Sequence, residues 1–516
     1  MFTKIYKIRL SLTTIPVNLF YYFSTAAHPF NETIYALSSG QGKSGVAVIR
    51  VSGKDSKLAV YKLLNRTTLL KPRYAYLTSI YNPVTKELLD KGLVLWFPGP
   101  NSFTGEDVCE FQVHGGTAII SSILQSLRSL DNFRLARPGE FTKRAFYNKK
   151  LDLVEAEGLA DLINAETEMQ RKQALIQSQG LLSKTYIKWK DELTTALMNF
   201  ESLFNFENID ETNEAVALKN INNVITRVCE EVTNHLDDGK RGQLLRTGVK
   251  TAIIGEPNVG KSSLYNFLCK KKAAIVTPYP GTTRDTLEYY IDLFGYPVIL
   301  YDTCGIRYRD VNLIEAEGVQ VTLDTIKSSE LLILVIDAGK YHVWLNHTPN
   351  GDMLCYVKDY IINELQVPDI INRGANSLRY LFQKRCLIVL NKIDKIEIPI
   401  EGEDLKDVSC ISVSTNAGLE QFLNNIKNKL TDICAEPSSE NPAITKLRHR
   451  NLLETCQDNL NQYLESAENP ALDYALLGNN LRCALRSLTE IIEGRRDNRP
   501  VNDVLDEIFH NFCIGK

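Results

Sequence analysis

The chain has little net charge: 59 Lys and Arg oppose 62 Asp and Glu over 516 residues, a formal charge of −3. A polyanion meets no global attraction, so any contact with nucleic acid must use a local basic patch or a partner. Cysteine pairs at metal-ligand spacing are missing. The 11 cysteines are scattered, odd in number and nowhere in CxxC order. That excludes a disulfide framework and a zinc site and points to reduced thiols. Long apolar runs are missing too. The longest near the start, Val17 to Phe23, is far short of the roughly 20 residues that span a bilayer, so no transmembrane segment is expected.

Acidic residues are absent before Glu32, where Lys4, Lys7 and Arg9 stand among hydroxyl and bulky apolar side chains. Such a basic, acid-free, amphipathic leader resembles a mitochondrial transit peptide, here residues 1–27. A secretory signal is the rival, and the reduced cysteines speak against export. The remainder is of ordinary globular composition, 44% hydrophobic and 23% charged, and long enough for about three domains.

Residues 28–148 read as mostly β. Thr33–Leu37, Gly45–Val51, Gly92–Phe97 and Val108–Val113 are strand-like runs between Gly, Pro and Asn. His114-Gly115-Gly116 then opens a helix. From Leu151 the apolar spacing turns helical, with Leu153, Ala156, Leu159, Ala160 and Ile163 three and four apart. Asp237 to Gly242 reads as a polar linker closing a first helical segment, 149–247. After Pro437-Ser438-Ser439 the helical period returns and continues to the end, giving a second segment, 436–516. The order implies one all-α domain interrupted by an inserted α/β domain, 248–431.

That inserted domain begins with Gly255-Glu256-Pro257-Asn258-Val259-Gly260-Lys261-Ser262-Ser263, between an apolar strand, Val249–Ile254, and a helix. The pattern is a phosphate loop, whose backbone N–H groups point at phosphate oxygens. Lys261 reaches the β- and γ-phosphates, and the Ser262 hydroxyl ligates Mg²⁺. Downstream, Thr283 within Gly281-Thr282-Thr283-Arg284-Asp285 offers a second hydroxyl to Mg²⁺ and senses the γ-phosphate. A hairpin around Phe294-Gly295 delivers Asp302-Thr303-Cys304-Gly305, with Asp302 on Mg²⁺ through water and the Gly305 N–H on the γ-phosphate. The buried run Cys386–Leu390 ends in Asn391-Lys392-Ile393-Asp394. A carboxylate there accepts from guanine N1–H and its exocyclic amine, a donor pair adenine lacks, so GTP is selected over ATP. Ser412-Val413-Ser414 would contact the base through backbone. Gly339 to Lys384 is long for a connection between two core strands and reads as an insertion, either a surface appendage for a partner or flexible filler, with filler the favoured expectation.

The position after Gly305 is Ile306, which cannot orient water as the Gln of many small GTPases does. Catalysis then needs another source of charge. Asn258 inside the loop has an amide oxygen able to bind a monovalent cation beside the β–γ bridge.

With these residues in view the chain resembles the MnmE (TrmE) family of tRNA-modifying GTPases, in a mitochondrial form. The resemblance also rests on Pro100 to Asp107, His114-Gly115-Gly116, Ala136 to Thr142, Lys150-Leu151-Asp152-Leu153 and the terminal Phe512-Cys513-Ile514-Gly515-Lys516. It implies an N-terminal α+β tetrahydrofolate-binding domain, a discontinuous helical domain and an inserted Ras-like GTPase domain. It implies a 5-formyl or 5,10-methylene folate held by Arg50, Glu110, Lys150 and Lys516. It implies K⁺ on Asn258, Thr277, Tyr279 and Thr282, with Glu315 positioning the attacking water. The partners it implies are a MnmG/GidA-type flavoprotein, which carries the FAD, mitochondrial tRNA, and a second copy of the chain, forming a homodimer and a heterotetramer in the matrix. The expected product is an aminomethyl-type group on carbon 5 of the wobble uridine. The alternative is a GTP-regulated assembly factor, for mitochondrial ribosomes for example, without modification chemistry. Cys304 and Val413 stand where the family usually has Ala.

Overall fold

A computed structural model describes residues 30–205, 211–271, 288–302, 324–348, 351, 353–365, 386–396, 408–440, 442–468, 473–494, 508–510, 512 and 515. The chain divides into two compact units, Met1–Leu151 with Asp506–Lys516, and Asp152–Leu505. By sequence period the second helical segment extends through the terminal Phe512–Lys516; the tail groups instead with the first unit.

The first unit is built on a six-stranded sheet: β1 (Thr33–Leu37), β2 (Ser44–Ser52), β3 (Tyr76–Tyr81), β4 (Leu88–Phe97), β5 (Val108–Gly115) and β6 (Phe133–Leu135). Their order is β3-β4-β5-β2-β1-β6. All neighbours are antiparallel except β1 and β6. Alternation decides the faces. Ile49, Val51, Phe111 and Trp96 point to a core shared with α1 (Ser56–Leu63) and α2 (Thr117–Arg128). Ile34 and Ala36 point the other way, onto Phe141 of α3 (Glu140–Tyr147). The four strands expected from sequence are present. Two more join them: β3 is a half-exposed edge strand, and β6 is only three residues long at the opposite edge. Neither carries an apolar run.

The second unit opens with α4 (Leu153–Ile163) and α5 (Glu168–Ser178), each started by a capping box, at Asp152 and Thr167. α6 (Leu181–Asn205) and α7 (Glu211–Thr247) follow. The expected linker at Asp237 to Gly242 lies inside α7. Its glycines are not breakers: a Cβ at Gly242 would lie 2.4 Å from the Ile444 carbonyl oxygen. The glycine lets a crossing backbone pack against the helix.

A second sheet comes next: β7 (Val249–Ile254), β8 (Glu288–Leu293), β9 (Tyr296–Asp302), β10 (Leu331–Asp337), β11 (Cys386–Asn391) and β12 (Val408–Ile411). Their order is β12-β11-β10-β7-β9-β8, parallel except for the β8–β9 hairpin. Phe294 (φ +57°) and Gly295 (φ +87°) turn that hairpin as the sequence predicts. One face packs on α8 (Lys261–Lys271) and, after β12, Leu419–Cys434.

The other face corrects the expectation of filler. Ala338–His347 (α9), Met353–Asp359 (α10) and a π-helical turn, Tyr360–Glu364, bury Tyr341, Met353, Tyr356, Val357, Tyr360 and Ile361 against β7, β10 and β11. A parallel sheet needs both faces covered, and the described part of this segment, up to Leu365, covers the second. With Leu419–Cys434 as α11, the last helices are α12 (Leu447–Ala467) and α13 (Tyr474–Glu493). They share one core with α6 and α7, including Tyr186, Trp189, Val228, Val232, Leu453, Leu460, Leu481 and Leu488. Two distant stretches of chain thus make one helical body. Among the described residues no helix is long and apolar enough to cross a membrane.

Candidate functional site

Parallel strands present their C-terminal ends at one edge of a sheet, where ligands of such folds bind. Here that edge collects the turns after β7, β10, β11 and β12. The loop after β7 is shaped by backbone that ordinary side chains avoid. Gly255 has φ +151°, and a Cβ there would meet the Val335 carbonyl at 2.3 Å. Asn258 has φ +65° and Gly260 φ +103°. Asparagine tolerates the left-handed region better than most residues.

The turn after β11 is bound to this loop. Asn391, 3% exposed at the end of β11, donates from Nδ2 to the Val259 carbonyl at 2.8 Å. Lys392, itself left-handed at φ +67°, donates from Nζ to the Asn258 carbonyl at 2.6 Å. It also pairs with Asp337 at 2.9 Å. Asp394 is open to solvent beside the last turn. A hydrogen bond from Ser412, and then one from Ser414, hold its carboxyl below the usual carboxylate range. The two hydroxyls are 2.9 Å apart. The Asp394 carboxylate thus has two oxygens that can accept hydrogen bonds from a ligand beside the turn. Val413 offers its N–H to Asn391 Oδ1 at 3.4 Å.

Lys261 starts α8, is 6% exposed, and donates to the Glu256 carbonyl at 2.7 Å. Ser262 and Ser263 are exposed in the same first turn. A hard cation prefers oxygen donors, and the Ser262 hydroxyl fits Mg²⁺ on that ground. Among the described residues no His, Cys, Asp and Glu group suits a transition metal. Asp302 ends β9. Its side chain, and the whole of Thr277, Tyr279, Thr282, Thr283, Thr303, Cys304, Gly305, Glu315 and Lys516, lie outside the described residues.

In the first unit Arg50 of β2 and Glu110 of β5 are register partners. Arg50 Nε donates to Glu110 Oε1 at 2.9 Å. The guanidinium lies over Phe103 at 5.2 Å and Phe141 at 5.7 Å. Both charged side chains keep nearly a fifth of their surface open, 19% and 18%. A cation, an anion and two aromatic rings suit a flat polar ring system with an acidic tail. Lys150 is exposed just beyond α3. The neighbour of Lys516, Gly515, accepts from Ser38 Oγ at 2.8 Å. Its φ is +98°, and a Cβ would lie 2.0 Å from the Leu37 carbonyl oxygen. Gly515 is thus seated at the end of β1.

Glu106, Gly139 and Glu140, which carry the resemblance, prove to be scaffold. Arg144, fully buried, donates from Nη1 to both Glu106 oxygens at 3.0 and 2.9 Å. It also reaches Glu140 at 3.1 Å and the Glu32 carbonyl at 3.0 Å. Gly139 (φ +67°) leaves no room for a Cβ beside Phe509. Sequence reasoning misses Asp337, Lys340 and Tyr360. The last two lie in the segment expected to be filler, and only their approach to the phosphate loop singles them out.

Family models describing the "GTP-binding protein TrmE N-terminus" and the "MnmE helical domain" match residues 33–150 and 153–513. The "5-taurinomethyluridine-[tRNA] synthase subunit GTPB3, mitochondrial" of Danio rerio is 42% identical over 95% of this chain and 94% of its own length. The Homo sapiens protein of the same description is 42% identical over 94% and 93%. The "tRNA modification GTPase MnmE" of Rickettsia typhi is 40% identical over 94% of this chain and all of its own length. Guanine-selecting turn, phosphate loop and both family models coincide in one chain, which belongs to the MnmE (TrmE) family of tRNA modification GTPases.

Proposed function

We propose that this GTPase works in the mitochondrial matrix, where K⁺-activated GTP hydrolysis is coupled to modification of the wobble uridine of certain tRNAs. A MnmG/GidA-type flavoprotein supplies the FAD. The added group is of the aminomethyl type, as in the 5-taurinomethyluridine for which vertebrate relatives are named. Lys261 neutralises charge on the β- and γ-phosphates. Ser262 and Thr283 would hold Mg²⁺, with Asp302 through water and Gly305 on the γ-phosphate. Asn258, Thr277, Tyr279 and Thr282 would hold K⁺, which supplies the positive charge an arginine finger brings elsewhere. The exposed, left-handed Asn258 suits that role. Glu315 positions water, since Ile306 cannot.

The observation that carries the link to one-carbon chemistry is the Arg50–Glu110 pair roofed by Phe103 and Phe141. A GTPase concerned only with assembly has no use for it. Lys150 and Lys516 complete this folate subsite in our reading. The domains run 28–148, 149–247 with 436–516, and 248–431, behind a leader of 27 residues. Two copies associate through the GTPase domain and join the flavoprotein as a heterotetramer.

Mass spectrometry of wobble uridines in mitochondrial tRNA from a deletion strain tests the reading. Loss of the aminomethyl-type group is expected. Wild-type levels would sink it and leave an assembly factor. The cation role has its own test: GTP turnover is expected to be faster in K⁺ than in Na⁺, and equal rates would remove Asn258 from catalysis.

A further inference from the structure

Glu256 is the second residue of the phosphate loop, and its N–H, its carbonyl and one carboxylate oxygen are engaged. Its N–H donates to the Tyr360 hydroxyl at 2.9 Å. Its carboxylate pairs with Lys340 at 2.7 Å. Its carbonyl accepts from Lys261 at 2.7 Å. Two of these partners come from the segment after β10 that covers the sheet. From the geometry we infer that Tyr360 and Lys340 are positioning residues for GTP: they bracket the entry to the phosphate loop and set its nucleotide affinity.

The bracket is rigid where it matters. Tyr360 is 2% exposed and stacks on Tyr356 with centroids 6.0 Å apart. Tyr356 in turn packs against Tyr341 at 5.0 Å and Trp344 at 5.2 Å. Tyr360 opens the π-helical turn, a local widening that changes where side chains point relative to a continuing α-helix. Burial above all, along with the Glu256 carboxylate, pushes the phenol up, so the group that meets the loop N–H is a neutral hydroxyl.

The far end of the loop is held by Asn391 and Lys392 at the Val259 and Asn258 carbonyls. The near end is held by Tyr360 and Lys340. A phosphate loop binds through backbone N–H groups, so its affinity depends on how much order it must gain on binding. Fixing Glu256 from outside removes part of that cost. The lysine that reaches the phosphates rests on the same residue, so the bracket also locates the Lys261 amine.

Tyr360→Phe keeps the ring and deletes only the hydroxyl. On the full chain, Kd for a fluorescent GDP and for a non-hydrolysable GTP analogue should rise about five- to tenfold, the scale of one hydrogen bond. KM for GTP should rise alike with kcat within about twofold, because the bond serves ground and transition states equally. Tyr356→Phe, in the same stack and facing the Glu256 carboxylate without a hydrogen bond to the loop N–H, should leave both within about twofold of wild type. Lys340→Met alters an exposed side chain and should raise Kd about twofold. Wild-type nucleotide affinity in Tyr360→Phe overturns the inference. So does an equal loss in Tyr356→Phe, which would report the aromatic stack alone. Should Tyr360→Phe not fold, unchanged affinity in Lys340→Met overturns it.

Discussion

Asn391 donates its side-chain amide to the carbonyl of Val259 at 2.8 Å, joining the base-selecting turn to the phosphate loop. The same amide nitrogen fills the space beside Gly260, where a Cβ would lie 2.2 Å away. The turn after β11 and the loop after β7 are therefore one mechanical unit. Asn391→Ala leaves the Val259 carbonyl without its partner. Calorimetry should show about tenfold weaker binding of both GDP and GTP, and Gly260→Ala should do at least as much. Undiminished affinity in both variants would dissolve the link.

Asp394→Asn tests the guanine contact separately. An amide presents a donor where guanine also presents one, so guanine selectivity should fall by about two orders of magnitude or more. Xanthosine triphosphate, with an acceptor at that edge, should gain relative to GTP. A competition assay still favouring guanine by the wild-type margin would remove Asp394 from base recognition.

Two arginines of the first unit should behave oppositely. Arg144 is fully buried between Glu106 and Glu140. Arg144→Met leaves Glu106 without its cation, while Glu140 keeps Arg134, and should destabilise the unit by about 3–5 kcal/mol, seen as a large fall in Tm. Arg50 is part-exposed over two rings. Arg50→Gln should leave Tm nearly unchanged and weaken binding of a 5-formyl tetrahydrofolate measured by equilibrium titration. Folate binding at wild-type strength would refute the assigned subsite.

Acid should loosen the helical body through His235. Burial, the largest influence, pushes this imidazole down to about 4 from 6.5. It sits 6% exposed against Tyr186 and Trp189. The unfolded chain therefore binds more protons between those values. Stability is full above pH 6.5 and falls by about 3 kcal/mol on the way to pH 4. Burial pushes His449 down as well, against the pull of Glu157, with the same sign. His235→Gln should flatten, without abolishing, the pH dependence of denaturant midpoints over this window. An unchanged slope would contradict the neutral, buried imidazole.

Local chemistry alone settles much of this protein. A phosphate loop needs its glycines and lysine at set spacing. Guanine selection needs Asp394 at a strand end. Phe294-Gly295 suffices to turn a hairpin. Such features depend on neighbours in the chain, so Val249–Ile254, Cys386–Asn391 and the helix at Lys261 are legible in the amino-acid order. What the chain brings together from afar is not. Gly242 has the composition of a linker residue, yet Ile444 packs on it within a helix. Nothing around Arg144 in sequence signals its burial between two glutamates. Tyr360 belongs to an apparent insertion, yet its hydroxyl meets the loop N–H of a residue 104 positions earlier. Burial and cross-chain hydrogen bonds are properties of packing, and no period or spacing in the sequence encodes which partner a side chain will find.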